Sequence, residues 1–472
     1  MGSTAVRAEQ AGQTGAGRKQ GSTKTILITS LALFSMFFGA GNLIFPPMLA
    51  VEAGDNFWPA ILGFLGTGAL LPVLAVIAIA MSGASVRDLS KRAGHVFGFL
   101  FPVLAYLSIG AFYALPRTGA VSMETAITPL FGFEGTLASA VFNIIFFGVA
   151  LALAWNPSTI MDKLGKFLVP ALVVLLVIMI AVSLARWNAE PSAPSEVYAD
   201  GPFTSGLLEG YLTMDSIAAL AFSIVIISNL RAKGFAEGRE IVNGTIIAGI
   251  GAGVMLALVY LGLGGIGRVI PKAGQYDNGA GLLADAANLT MGTVGQAVFS
   301  AVVLLACLTT AVGLITATSE YFSGNFFGTY RAWAIGFTTW SMVFATQGLS
   351  FIMTIAAPVI GFLYPPAIAL ILVTLIEPAF RSKTRFTWAL ILPVWTAVVF
   401  SLVETFVNLG WAADALSPIV SWAPLFEAGL GWVVPVAAAF VIGLVLDFVN
   451  PKAPMEVGTN HTVEGEVPVA AE

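Results

Sequence analysis

Residues 37–47 read Phe-Phe-Gly-Ala-Gly-Asn-Leu-Ile-Phe-Pro-Pro and lie inside the first long apolar stretch of the chain, from about Thr25 to Ala50. That stretch is long enough to cross a bilayer as a helix. Its glycines and prolines weaken a helical backbone, and an unwound turn at membrane depth persists only where it lines a cavity enclosed by protein. Such a break presents free N–H and C=O groups that a transporter can use to hold a substrate and a cation. The segment therefore predicts a binding site in the middle of the first membrane span.

The composition is that of a polytopic membrane protein. Hydrophobic residues make up 57% of the 472 residues and charged residues 10%, against roughly 25% charged residues in soluble domains. The mean hydropathy is +0.90. One cysteine and two histidines exclude a disulfide framework and a metal centre built from those residues, although an oxygen-ligated ion site stays open. The lipid bilayer is thus an expected partner, and nucleic acid is not.

Apolar stretches bounded by charges or turn residues predict about twelve transmembrane helices. They lie at about 25–50, 57–82, 96–127, 136–155, 164–186, 205–230, 241–266, 292–325, 331–348, 350–377, 386–408 and 428–449. Seventeen of the 21 lysines and arginines fall in the tails and in the connections on one side of this topology, so both termini are expected in the cytoplasm. The amphipathic connection from Asn278 to Leu289 predicts a short re-entrant or capping helix.

The first ten spans divide into two predicted halves of five. The first and sixth spans are both interrupted by polar residues, and the third and eighth spans are the long ones. Because an odd number of spans reverses the orientation of the second half, this pattern indicates the inverted repeat of many secondary transporters. The predicted organisation is a cytoplasmic tail at 1–22, a first repeat at 23–190, an inverted second repeat at 191–380, two further spans at 381–450 and a cytoplasmic tail at 451–472.

The break in the first span suits both a carboxylate and a hard cation. In the predicted orientation Leu43 begins a second half-helix whose N-terminus points at the midplane, and the free amides of Gly41, Asn42 and Leu43 favour a substrate carboxylate. The carbonyls around residues 37–40 end the preceding half-helix and favour a cation such as sodium, with the Asn42 side-chain oxygen as a further ligand. The alternative is a packing face of small residues beside a proline kink.

The sixth span carries Thr213-Met214-Asp215-Ser216 within an otherwise apolar run. A carboxylate at that depth is energetically unfavourable and indicates a functional site, where Asp215 would receive a substrate ammonium or a cation. The alternative is that Asp215 caps a half-helix that begins at Ile217. Both interpretations require a break in the sixth span at this position.

Polar residues in two further spans are candidates for ion binding and gating. Thr309 and Thr310 lie near mid-depth in the eighth span, where adjacent hydroxyls can reach a small ion, or can instead bond back to carbonyls of their own helix. Arg117 and Glu124 are seven residues apart in the third span and should share a helix face. They are expected to form an ion pair, either an ordinary, partly solvated one or one that closes an external gate.

Three motifs stand in the first, sixth and eighth spans: Ala32-Leu-Phe-Ser-Met36 followed by residues 37–47, Gly210-Tyr-Leu-Thr-Met-Asp215 with Ala218-Ala-Leu-Ala-Phe222, and Ala306-Cys-Leu-Thr-Thr-Ala-Val-Gly313. Together they resemble the bacterial branched-chain amino acid:cation symporter family, over nearly all of residues 25–450. The resemblance implies sodium- or proton-coupled uptake of leucine, isoleucine and valine across the bacterial cytoplasmic membrane. It also implies the LeuT-like fold shared with sodium:neurotransmitter symporters, a five-plus-five inverted repeat with broken first and sixth helices followed by two C-terminal helices.

The segment from Gly39 to Asn42 is also similar to the Gly-x-Gly-Asn segment of that wider fold. By this similarity Gly39 and Gly41 would bind the substrate carboxylate, and Asn42 would ligate a sodium near it. Thr309 and Thr310 match the hydroxyl pair that holds a second sodium. The basic gating residue that some neurotransmitter-type members carry before the proline is absent, so the external gate is expected to be built differently.

These inferences give one expected site. The substrate-binding residues are expected to be Phe38, Gly39, Ala40, Gly41, Asn42, Tyr106, Ile109, Gly110, Thr213, Met214, Asp215 and Phe222. The cation ligands are expected to be Phe37, Ala40, Asn42, Ala306, Thr309 and Thr310. The coupling ion is expected to be Na⁺, with the proton as the alternative. A channel or a receptor-like binder is the rival class, an enzyme finds almost no support, and the sequence does not indicate an oligomeric state.

Overall fold

A computed structural model describes residues 23–82, 85–155, 159–221, 239–380 and 384–451. Helices joined by turns and loops make up these ranges, which contain no β-strand. Seven helical stretches in them are long and apolar enough to cross a membrane: Gly41–Ser82, His95–Phe131, Thr136–Ala154, Glu240–Val269, Gly279–Asn325, Leu349–Phe380 and Trp388–Asn408. The predicted all-α, polytopic fold is confirmed.

Spans one to six follow the predicted order. They comprise Thr23–Phe37 with Ala40–Ala53, Phe57–Leu65 with Leu71–Ser82, His95–Leu107 with Ala114–Ser122 and Thr128–Phe131, Thr136–Ala154, Thr159–Arg186, and Pro202–Tyr211 followed by 215–221. Wider, π-helical turns join the parts of the second and third spans, at Gly66–Leu70, Ser108–Phe112 and Met123–Ile127. The first span is interrupted between Phe37 and Ala40, and the sixth is interrupted between Tyr211 and residue 215. Both are therefore broken, as predicted.

Spans seven to twelve complete the bundle. They comprise Arg239–Val269, Gly279–Asn325, Tyr330–Thr346, Leu349–Ile376, Trp388–Asn408 and Val433–Val449. Short helices in the connections are Val86–Lys91, Glu196–Ala199 and Ala413–Val420. Three-residue and four-residue 3₁₀ turns lie at Gly54–Asn56, Ala273–Gln275 and Glu377–Phe380.

The predicted capping helix is the first part of the Gly279–Asn325 helix, ahead of the kink. Asn278 begins it by accepting hydrogen bonds from the amides of Ala280 and Gly281 at 2.9 and 3.1 Å. Gly292 then adopts φ 70° and ψ −175°, which kinks the chain and separates this helix from the rest of the span. A Cβ built on Gly279 would overlap the Ile44 carbonyl, so the capping helix lies directly on the second half of the first span.

Glycines also bring the second and sixth spans into backbone contact. A Cβ on Gly206 would overlap the Ala60 carbonyl, and a Cβ on Gly63 would overlap the Phe203 carbonyl. At the same interface Thr67 Oγ1 donates to the Leu207 carbonyl at 2.6 Å. Small residues that admit close backbone approach are typical of helix packing in membranes. This contact fixes the first half of the sixth span next to the bundle.

We expect Gly206→Ala to lower stability markedly. The new methyl group would meet a backbone carbonyl, which cannot move aside as a flexible side chain would, and overpacking of this kind costs about 1–3 kcal/mol. The measurement is the melting temperature of the purified protein in detergent. Gly148→Ala in the fourth span is the control, because a Cβ there would meet no atom within 4 Å. Equal melting temperatures for the two variants would contradict the close contact.

Candidate functional site

The first span breaks at Phe38 and Gly39. Gly39 is extended, with φ −111° and ψ −176°, and the amide of Asn42 donates to its carbonyl at 3.1 Å. The second half-helix starts at Ala40, three residues earlier than the predicted start at Leu43, because one extended glycine is enough to redirect the chain. The carbonyl of Ala40 consequently belongs to the second half-helix and not to the end of the first, where it was expected as a cation ligand. The Asn42 amide is thus paired with the carbonyl of Gly39 at the start of the helix, and the amides that precede Asn42 have no partner within the helix.

The sixth span breaks at Leu212, Thr213 and Met214. Met214 has φ 65°, a left-handed conformation that is uncommon for a residue with a side chain and that marks the break. The amide of Ala218 donates to the Met214 carbonyl at 2.9 Å, and the amide of Asp215 faces Thr213 Oγ1 at 3.5 Å. The Asp215 carboxylate accepts instead from Asn42 and Tyr260, so the capping alternative for Asp215 does not describe its hydrogen bonds.

Three oxygen atoms converge on the Asn42 side chain and join the two breaks. Asn42 Nδ2 lies 2.9 Å from the Phe37 carbonyl, 2.7 Å from Asp215 Oδ2 and 2.8 Å from Tyr260 Oη. Tyr260 Oη also donates to Asp215 Oδ2 at 3.0 Å. The side chains of this group, which we call the Asn42 cluster (the Phe37 carbonyl, Asn42, Asp215 and Tyr260), are at most 4% exposed.

The Asn42 cluster has more acceptors than donors at its centre. An amide NH₂ has two hydrogens, whereas three oxygens surround Asn42 Nδ2. If the amide rotated by half a turn, Oδ1 would join the three, and four oxygens including a carboxylate would face one another. Hard cations are bound by carboxylate, carbonyl and amide oxygens. The described residues contain no group of three or more His, Cys, Asp or Glu side chains that could hold a metal. The Asn42 cluster is a mixed set of carbonyl, amide, carboxylate and hydroxyl groups.

Tyr260 was not predicted from the sequence. It lies on the seventh span and is the only residue with a side-chain hydroxyl between Thr245 and Arg268. A single hydroxyl in an apolar span was the sequence signal from which a functional role of Tyr260 could have been predicted. Its partners come from the first and sixth spans, which are 218 and 45 residues away along the chain, so local sequence could not identify them.

Arg117 of the third span contacts both breaks. Its Nη1 donates to Tyr113 Oη at 2.7 Å and to the Leu212 carbonyl at 2.8 Å, and its Nη2 donates to the Thr213 carbonyl at 3.3 Å. Its guanidinium covers the Tyr113 ring at 4.3 Å and packs so closely on Gly41 that a Cβ there would overlap it. Arg117 is 5% exposed.

The predicted pairing of Arg117 with Glu124 is absent, which is a correction. Glu124 accepts from Asn278 Nδ2 at 2.7 Å and so contacts the start of the capping helix. The physical reason is that each side chain has partners elsewhere: Arg117 donates to Tyr113 and to the carbonyls of the sixth-span break, and Glu124 accepts from Asn278. A gating role for either residue stays a prediction.

The two threonines of the eighth span lie beside the first break. Thr309 and Thr310 both donate to the Ala306 carbonyl, at 2.8 and 3.0 Å, as the alternative interpretation had it. A Cβ on Gly39 would lie 3.7 Å from Thr310 Cγ2 and 3.9 Å from Thr310 Oγ1. Each hydroxyl keeps acceptor capacity while it donates. The second cation site stays a prediction at this position.

The other predicted substrate residues are only partly brought together. Tyr106 donates to the Ala221 carbonyl at 3.1 Å and stacks on Tyr321 with ring centroids 4.0 Å apart. Gly110 accepts from Ser341 at 3.1 Å and packs on Thr318, so it faces the eighth and ninth spans.

Three further residues were predicted to line the substrate pocket, and the structure describes two of them. Ile109 is buried in the third span, and Phe38 stacks on Phe34 at 5.0 Å. Phe222 lies outside the described residues.

Comparisons with known proteins agree with this architecture. The family model for branched-chain amino acid transport proteins matches residues 22–450. The chain is 51% identical over 444 residues to the branched-chain amino acid permease BrnQ of Corynebacterium glutamicum, covering 94% of this chain and 99% of that one. It is 35% identical over 434 residues to the permease BraB of Bacillus subtilis, covering 91% and 97%. It is 35% identical over 430 residues to BrnQ of Escherichia coli, covering 90% and 96%.

Two solved structures are similar in fold. One is an inward-facing conformation of Mhp1, with a TM-score of 0.55, 15% identity and coverage of 89% of each chain. The other is Mhp1 as a nucleobase-cation-symport-1 family transporter in a closed conformation with bromovinylhydantoin bound, with a TM-score of 0.55, 15% identity and coverage of 88% and 91%. Because the sequences are only 15% identical, the similarity concerns the fold alone, and this fold is LeuT-like.

Proposed function

Because this chain belongs to the branched-chain amino acid transport protein family, whose members are membrane transporters and not enzymes, we propose that it imports leucine, isoleucine and valine with sodium by alternating access. The relatives named above are branched-chain amino acid permeases, which supports the substrate class. We place the transporter in the bacterial cytoplasmic membrane with both termini in the cytoplasm, as the distribution of lysine and arginine favours.

The observation that carries the sodium proposal is the Asn42 cluster. A cation bound there would be held by the Phe37 carbonyl and Asn42 of the first span, by Asp215 of the sixth and by Tyr260 of the seventh. The same break presents the amides of the second half-helix, which favour a substrate carboxylate. Substrate and sodium would then stabilise the same arrangement of the two broken helices. Binding of either one would therefore strengthen binding of the other. This mutual effect couples sodium to substrate, and it is equal in both directions by thermodynamic necessity.

Proton coupling is the second candidate, and Asp215 is the observation that favours it. Its carboxylate is buried among apolar spans, where an ionised group is unfavourable unless it is paired. A proton taken up by Asp215 would neutralise it, as sodium would. Sodium and the proton are therefore alternative coupling ions at the same site.

Uptake by purified protein in liposomes tests the proposal. An inward sodium gradient at equal pH on both sides should drive accumulation of radiolabelled leucine above its external concentration. Replacing sodium with choline should abolish this accumulation even when a proton gradient is imposed. Accumulation in choline with an inward proton gradient would favour the proton. Leucine flux without accumulation under either gradient would indicate a channel and overturn both candidates.

We expect Tyr260→Phe to weaken activation by sodium about tenfold, because one ligand oxygen is worth about one hydrogen bond, or roughly 1.4 kcal/mol. The measurement is the sodium concentration that gives half-maximal leucine uptake. Tyr211→Phe is the control, since Tyr211 is a buried tyrosine of the sixth span whose hydroxyl has no hydrogen-bond partner among the described residues. Equal sodium dependence of Tyr260→Phe and the unmodified protein would remove Tyr260 from the cation site.

A further inference from the structure

The position of Arg117 changes how the substrate is expected to lie. The carbonyls that end the first half of the sixth span are candidate acceptors for a substrate ammonium. Instead the Arg117 guanidinium donates to the carbonyls of Leu212 and Thr213, at 2.8 and 3.3 Å. A resident positive charge therefore lies against Gly41, at the place where both helices are broken.

Arg117 retains unused hydrogen-bonding capacity on one edge. A guanidinium carries five N–H donors. Nη1 uses two of them, on Tyr113 Oη and on the Leu212 carbonyl, and Nη2 uses one on the Thr213 carbonyl. The N–H of Nε and the second N–H of Nη2 have no acceptor among the residues that the structure describes. These two groups form the edge of the guanidinium that binds a carboxylate through two parallel hydrogen bonds.

The surroundings of Arg117 hold it in one orientation. Tyr113 supports the guanidinium with its ring and accepts from Nη1, and its own hydroxyl donates to the Leu212 carbonyl at 2.6 Å. Moving the guanidinium away would break all of these contacts and leave a buried charge without partners, which is unfavourable at membrane depth. Adding a carboxylate to its free edge would neutralise it while these contacts are kept.

We propose that Arg117 binds the carboxylate of the transported amino acid through its free Nε–Nη2 edge, beside the amides of the second half-helix. The substrate ammonium then points toward Asp215 on the other side of the break. The site thus recognises a zwitterion with one fixed positive and one fixed negative side chain. This proposal rests on the proposed function, because it assumes that an amino acid binds at the two breaks.

Ligands that lack one of the two charges test the proposal. The probes are L-leucine, L-leucinamide, which has no carboxylate, and 4-methylpentanoic acid, which has no ammonium. The measurement is the dissociation constant of each, from ligand-induced thermal stabilisation of the full-length protein in detergent with sodium present. The variants are Arg117→Gln and Arg117→Lys, each checked for monodisperse elution.

The unmodified protein should bind leucine far more tightly than leucinamide. Arg117→Gln should bind leucine about 100-fold more weakly, because a buried charged partner is lost, and should no longer discriminate leucine from leucinamide. Arg117→Lys should keep part of the discrimination, since it retains the charge without the two-pronged geometry. If Arg117→Gln does not fold, the Lys variant alone decides, through reduced discrimination.

Two results would overturn the proposal. Unchanged discrimination in a folded Arg117 variant would remove the carboxylate contact. Tighter leucine binding by Arg117→Gln would instead show that the guanidinium competes with the substrate ammonium for the sixth-span carbonyls. If the unmodified protein itself binds no leucine, the proposed function fails, and that outcome is distinguishable from both.

Discussion

Replacing Asp215 with asparagine should abolish sodium-driven accumulation of leucine. The change keeps the shape of the side chain and removes the only carboxylate in the Asn42 cluster, whose oxygen accepts from Asn42 and Tyr260. It also removes the nearby negative charge that favours the buried Arg117 guanidinium. Loss of one member of a buried charged group typically costs about 3–5 kcal/mol, so uptake should fall by more than about 100-fold.

The measurement is the initial rate of radiolabelled leucine uptake into liposomes under an inward sodium gradient. Glu404→Gln is the matched control. Glu404 is a half-buried carboxylate near the end of the eleventh span, outside the two repeats, and its Oε1 has no hydrogen-bond partner among the described residues. The control should retain sodium-driven uptake. Sodium-stimulated accumulation by Asp215→Asn at the unmodified rate would exclude Asp215 from the coupling.

Gly41→Ala should abolish transport, whereas Gly39→Ala should leave it within a few-fold. A methyl group on Gly41 would overlap the Arg117 guanidinium, which is held by Tyr113 and two carbonyls. Displacing the guanidinium would break at least two charge-assisted hydrogen bonds, worth about 1.5–3 kcal/mol each, and would reduce binding by more than about 100-fold.

Gly39 offers the matched comparison because its environment is different. Its backbone is extended, a conformation that alanine also adopts, and its Cβ would meet Thr310 at ordinary contact distance, 3.7 Å. The measurement is leucine uptake for both variants, together with leucine binding in detergent. Equal losses at the two positions would mean that the glycines act through backbone freedom and not through the space for Arg117.

The broken helices were predictable because their signals are local. Glycine, asparagine and proline in the first span, and an aspartate in the sixth, identify each break without knowledge of the partner. The start of the second half-helix was misplaced at Leu43 instead of Ala40, since the sequence does not show which glycine takes the extended conformation.

The partners of these residues were harder to predict. The expected pairing of Arg117 and Glu124 assumed that the two side chains turn toward each other, whereas Arg117 contacts the break in the sixth span and Glu124 contacts Asn278. Tyr260 joins Asn42 and Asp215 through the packing of three spans, which has no signature in any one of them. Tertiary packing, not local propensity, therefore decides the composition of the site.

The most direct test of the central claim measures leucine binding to the purified protein while choline replaces sodium at constant pH. If the Asn42 cluster holds the coupling ion, sodium should tighten leucine binding, and leucine should tighten sodium binding by the same factor. Asn42→Ala should weaken this mutual effect. A leucine dissociation constant that is the same in sodium and in choline would contradict the account.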